Sequence, residues 1–213
     1  MRAGAVGGVI FDVDGTLLDT NYLHVAAWWE AFRERGADIR LETMRRALDA
    51  DAKLGFSYGV IEFFGDWQGE MKMPPFDPYK LIYRHIIGPT ALFRRELFQD
   101  VGGYFQFGGY EDWEFWVHAL ACGWRGTKMP EVTWLYRRHG ETMYAGARAS
   151  YRHWYRLLRQ RHGQLYTRSG RASLARESSM SAAGRFVYRW WWGARPMPAR
   201  LEIALQSLLW RSK

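Results

Sequence analysis

A short apolar run at residues 6–11, set among glycines and ending against Asp12, constrains the fold of this chain more than any other segment. It is apolar without alternation, which reads as a strand buried in a sheet rather than one with a wet face. The class expected from it is α/β. The chain has 213 residues, of which 48% are hydrophobic and 24% charged, so it can bury a core and is not a disordered chain. Its length suits one domain, or at most two very small ones.

The net charge of +8 is unevenly spread. Residues 1–132 carry 14 basic and 19 acidic side chains, net −5, whereas residues 133–213 carry 16 and 3, net +13. The basic character therefore belongs to the C-terminal third. That third also holds Trp190, Trp191, Trp192 and Trp210. Arginine with tryptophan suits an anionic membrane surface, reached through residues 185–213, better than base-specific nucleic-acid recognition. The single cysteine, Cys122, excludes an intramolecular disulfide and a multi-cysteine zinc site. No apolar run reaches the ~18 residues of a membrane span, and the N-terminus meets acid too early for a signal peptide. The expected location is cytoplasmic, with a peripheral position at the inner face of the membrane as an extension of the tail reading.

Hydrophobic spacing places the other elements. Helices are expected at residues 21–35, 42–49, 94–101, 112–122, 150–162 and 199–210, and strands at residues 56–64 and 133–136. The helix at 112–122 has the clearest pattern, with Trp113, Trp116, Val117 and Leu120 on one face. Gly102-Gly103 reads as a helix stop, Trp113 and Trp116 as core, and Cys122 as a small buried helix residue. Residues 67–79, rich in proline, read as a loop. Residues 167–184, rich in Ser, Ala and Gly, read as a flexible connection or a weak helix.

Two groups of residues carry chemistry. The first is Val9-Ile10-Phe11-Asp12-Val13-Asp14-Gly15-Thr16. Alternation at the end of a strand sends Asp12 and Asp14 to the same side, where two carboxylates suit Mg²⁺ and one can attack a phosphoryl group. The string resembles the first motif of the haloacid dehalogenase (HAD) superfamily phosphatases. That resemblance implies Asp12 as nucleophile and Asp14 as general acid and base, both beside the metal. The strand-end serine or threonine, the lysine and the second acidic pair of that family have no counterpart in order.

The second group begins near residue 43. It comprises Leu54-Gly55-Phe56-Ser57-Tyr58-Gly59, Thr90-Ala91-Leu92-Phe93-Arg94-Arg95-Glu96, Gly108-Gly109-Tyr110-Glu111-Asp112-Trp113-Glu114 and Tyr136-Arg137-Arg138-His139-Gly140. In this order they resemble the C-terminal half of a family 2 glycosyltransferase with a GT-A fold, over residues 43–145. The resemblance implies transfer of a sugar from a nucleotide-sugar donor to a carbohydrate or lipid-linked acceptor. Asp112 is then the base that takes the acceptor proton, with Glu111 supporting it. Arg137 and Arg138 would bind the diphosphate, and His139 would be a ligand of a divalent cation, Mn²⁺ or Mg²⁺. Read alone, Asp112 is also a helix N-cap and His139 a loop histidine. Asp49-Ala50-Asp51 has the spelling of a metal-binding DxD but falls where a helix joins a strand.

The chain thus reads as a composite: residues 1–43 a HAD-like strand and helix, residues 44–148 an incomplete GT-A-like (Rossmann-like) mixed sheet with flanking helices, and residues 149–213 a basic, aromatic, helical tail. The expected function is sugar transfer. The alternatives are a Mg²⁺-dependent phosphatase and a non-catalytic module that binds a membrane or a partner.

Overall fold

A computed structural model describes residues 41–88, 91–105, 109–138 and 150–192, with only the backbone of Leu41, Glu42, Arg137 and Arg138. The expected strand at residues 6–11 and the helices at 21–35 and 199–210 lie outside the described residues. The elements are α1 (Leu41–Asp49), β1 (Leu54–Gly65), β2 (Gly69–Met71), α2 (Pro78–Leu81), β3 (Leu92–Phe93), α3 (Arg95–Val101), α4 (Glu111–Ala121), β4 (Arg125–Arg138), α5 (Tyr151–Arg161), a 3₁₀ turn (Gly163–Tyr166), α6 (Arg168–Glu177) and α7 (Ala182–Trp191). They form two compact units. Within the described residues the first takes 41–75, 87–102 and 123–138, and the second takes 76–86, 103–122 and 150–192.

The first unit is a mixed sheet with flanking helices. β1 is its central strand. β4 runs parallel to it along one edge, from Leu54↔Arg125 to Gly65↔Arg138. β2 and β3 pair antiparallel with separate halves of the other edge. A central position explains why Gly55 to Ile61 are buried without alternation. β4 spans 14 residues where the spacing predicts a strand only over 133–136. Its first half, with Lys128 and Pro130, lacks an apolar signal, and pairing to β1 supplies what propensity does not. Gly126 lies opposite Phe56, and a Cβ there would fall inside the Phe56 ring. Arg94 ties the helices to this sheet. Its Nε donates to the Leu54 carbonyl at 2.8 Å, and its terminal nitrogen donates to the Leu48 carbonyl at the end of α1. Gly102 ends α3 with φ 77°, the left-handed stop expected from the Gly-Gly pair.

The second unit is helical, and α4 is its buried centre. Trp113 and Trp116 are 1% and 0% exposed, as the core reading predicts. The carbonyls leaving the short helix α2 have no intrahelical partners. Aromatic side chains supply them instead: Trp113 Nε1 donates to the Leu81 carbonyl at 2.7 Å, Tyr166 Oη to Ile82 at 2.6 Å, and Tyr151 Oη reaches the Tyr83 carbonyl at 2.6 Å. Each ring fills core volume while its polar tip closes the backbone.

Two expectations need correction. The proline-rich stretch contains β2 and the start of α2, because Pro78 occupies the first turn of a helix, where its missing N–H is no loss. Of the two readings of residues 167–184, the helix holds and the flexible connection does not. Thr167 and Ser181 are N-caps whose hydroxyls accept the amides of Gly170 and Gly184, both at 3.0 Å, starting α6 and α7. Asp77 joins these parts: its carboxylate accepts from Lys80 N at 3.0 Å, Ser178 Oγ at 2.8 Å and Ser179 N at 3.0 Å. No helix among the described residues is long and apolar enough to cross a membrane.

Candidate functional site

The chemistry-bearing side chains of the second unit gather around α4. The chain enters this helix through Tyr110, whose φ of 59° and ψ of 34° are left-handed and uncommon for a non-glycine residue. The Tyr110 ring packs edge-on to Trp113 and His85, with centroids 5.6 Å and 6.1 Å apart. Glu111 and Asp112 therefore stand in the first turn, at the positive end of the helix dipole. Tyr110, not Asp112, is the N-cap residue. Asp112 Oδ1 accepts the Trp113 amide at 2.8 Å, and Oδ2 lies 3.3 Å from His85 Nε2. The Asp112 side chain is 28% exposed and so can be reached by a substrate hydroxyl. Burial holds the His85 imidazole below its ordinary pKa; Asp112 opposes this shift and Arg84 adds to it. His85 is accordingly neutral at pH 7.

One turn further along α4 is a second cluster. Glu114 is fully buried, an unusual place for a carboxylate without partners. Its Oε1 accepts from Arg161 Nε at 2.7 Å and lies 2.8 Å from His162 Nε2. His118 Nδ1 is 3.9 Å from the same oxygen. Glu114 Oε2 is buried and has no hydrogen-bond partner among the described residues. The Arg161 guanidinium stacks on the Phe105 ring, 3.9 Å from its centroid. One ligand atom each from Glu114, His118 and His162 lie within 4.8 Å of one another, a group able to hold a metal ion. Burial keeps His118 below its ordinary pKa; His162 and Arg161 add to the shift and Glu114 opposes it. Beside the cluster is an open pocket of about 340 Å³, lined by His118, Ala121, Cys122, Arg161, His162 and Gln164. Cys122 is exposed there rather than buried, because α4 ends at Ala121.

The sequence-based candidates are distributed as follows. Glu111 and Asp112 are adjacent at the entrance to α4. Arg137 and Arg138 close β4 in the first unit, paired with Phe64 and Gly65 of β1. Asp12, Asp14 and His139 lie outside the described residues. Asp49 and Asp51 have structural partners at the corner into β1: Asp49 pairs with Arg45 at 3.6 Å, and Asp51 Oδ1 accepts the Lys53 amide at 2.8 Å. Sequence reasoning missed His85, Glu114, His118 and His162. The four-residue spacing of Glu114 and His118 was the available signal, since it stacks two ligands on one helix face.

No protein-family model matches the chain, and no curated protein matches it significantly.

Proposed function

We propose that this chain is a glycosyltransferase-like protein of the family 2, GT-A type, acting on a nucleotide-sugar donor and an acceptor hydroxyl. The observation that carries the reading is the Glu111-Asp112 pair at the mouth of a buried aromatic helix, with a reachable Asp112 carboxylate next to a neutral His85. An acceptor hydroxyl hydrogen-bonded to Asp112 would pass its proton to the carboxylate as its oxygen attacks the anomeric carbon. Neutral His85 leaves that carboxylate without a competing cationic partner, and the Trp113 amide fixes its orientation. Glu111 adds a second negative charge beside it at the start of the helix. Arg137 and Arg138 are the candidates for the leaving diphosphate. A divalent cation, Mn²⁺ or Mg²⁺, belongs to the family resemblance. The resemblance gives His139 as its candidate ligand.

The basic tail supports a membrane-associated acceptor. On α7, Phe186 and Trp190 are 69% and 67% exposed, and Arg185 and Arg189 lie on the same helix. Exposed aromatic rings with arginines are the composition of an interfacial helix.

The test is release of nucleoside diphosphate from a panel of nucleotide sugars. Asp112→Asn should lower turnover by about 10²–10⁴-fold, the usual weight of a general base, while Asp12→Asn leaves it unchanged. Phosphatase turnover abolished by Asp12→Asn, with no sugar transfer in the parent, would instead favour the aspartyl-phosphate reading of Asp12 and Asp14.

A further inference from the structure

We propose that Glu114, His118 and His162 form a binding site for one zinc-like divalent transition-metal ion, with a coordination position left open towards the adjoining pocket. The inference is independent of the sugar-transfer reading and uses none of its residues.

Three observations carry it. Two imidazoles and one carboxylate are a donor set suited to Zn²⁺ and its neighbours, and poorly suited to Mg²⁺, which prefers oxygen and water. Glu114 and His118 are one helical turn apart on α4, and the His162 backbone N–H, at the end of α5, donates a hydrogen bond to the Leu158 carbonyl at 3.0 Å. The ligands thus come from ordered elements, and their spread of at most 4.8 Å needs only side-chain closure to reach metal distances. The third observation is Glu114 Oε2, a buried carboxylate oxygen with no hydrogen-bond partner among the described residues. Such an oxygen is costly to leave unsatisfied, and a cation is the partner that a carboxylate can take.

Arg161 is the competing cation. It binds Oε1 at 2.7 Å, so the metal would take Oε2. His162 Nε2 donates to Oε1 when it carries the ring proton. Coordination at Nε2 requires that nitrogen to be free of its proton, with the ring proton on Nδ1. Three protein ligands leave a fourth position for water or a substrate atom. Ala121, Cys122 and Gln164 line the pocket next to the cluster, giving such an atom a route from solvent.

The experiment is calorimetric titration of the full chain, stripped with chelator, with ZnCl₂ and separately with MgCl₂. One equivalent of Zn²⁺ should bind, and Mg²⁺ should not compete. His118→Gln, at a partly exposed position, should weaken Zn²⁺ at least tenfold. Arg161→Gln should not weaken it, since removing the guanidinium removes a competing charge. A thermal scan of the parent chain needs no variant: saturating Zn²⁺ should raise its midpoint by mass action. Absence of Zn²⁺ binding, binding unchanged in His118→Gln, or a midpoint that zinc does not raise would each overturn the proposal.

Discussion

At the scale of single residues, the second unit depends on buried polar groups held by specific partners. Asp77 is the clearest case, because one carboxylate receives donors from two separate parts of the chain, Lys80 and Ser178-Ser179. Asp77→Ala would leave the buried Lys80 amide without its acceptor and release the Ser178 and Ser179 donors, and should destabilise the protein by about 1–3 kcal/mol, read from urea unfolding. His85 gives a prediction with a definite sign. Its folded pKa lies below the ordinary 6.5, so below that pH the unfolded chain binds the proton more readily. Stability should therefore be full above pH 6.5 and fall as the pH drops through it. Asp112 and Arg84, the charged groups acting on His85, stay in place in His85→Gln. That variant should show a shallower loss between pH 7 and pH 5.5. Parallel losses in parent and variant would mean that His85 does not resist protonation. The residue scale is also where the sequence was least legible. Asp112 could be named from its motif, but Glu114 and His162 meet across 48 positions, and no local pattern announces that pairing.

At the scale of elements, local chemistry was readable wherever a signal had one meaning. The apolar periodicity of α4 and the Gly-Gly stop of α3 gave both elements nearly to the residue. Ser and Thr near residues 167–184 had two meanings, loop formers and helix caps, and the structure uses them as caps. β4 was underestimated because its pairing with β1, not its own composition, makes it a strand. The close approach of Gly126 to Phe56 makes that pairing testable. Gly126→Ala should force the ring aside and cost about 1–3 kcal/mol, whereas Ala at the exposed position Gln68 should be nearly neutral. On α7, replacing both Phe186 and Trp190 by Ala should abolish sedimentation with anionic liposomes. Binding that survives this change and deletion of residues 185–213 would remove the membrane reading.

At the scale of the whole molecule, the two compact units are each drawn from discontinuous stretches of sequence. Such interleaving is invisible to a reading that runs along the chain, because it depends on which distant segments pack together. The mixed α/β class was legible from the strand expected at residues 56–64 and the amphipathic helices, whereas the strand expected at residues 6–11 lies outside the described residues. The GT-A topology rests on the resemblance and is part of the proposal, as is the role given to Asp112. The most direct measurement is thermal unfolding of the full chain with a panel of nucleoside diphosphates, each with Mn²⁺. The account predicts that one nucleotide raises the midpoint by mass action, and that the rise is lost when Arg137 and Arg138 are both changed to Ala. If no nucleotide shifts the midpoint, the chain has no donor site, and the glycosyltransferase reading is wrong.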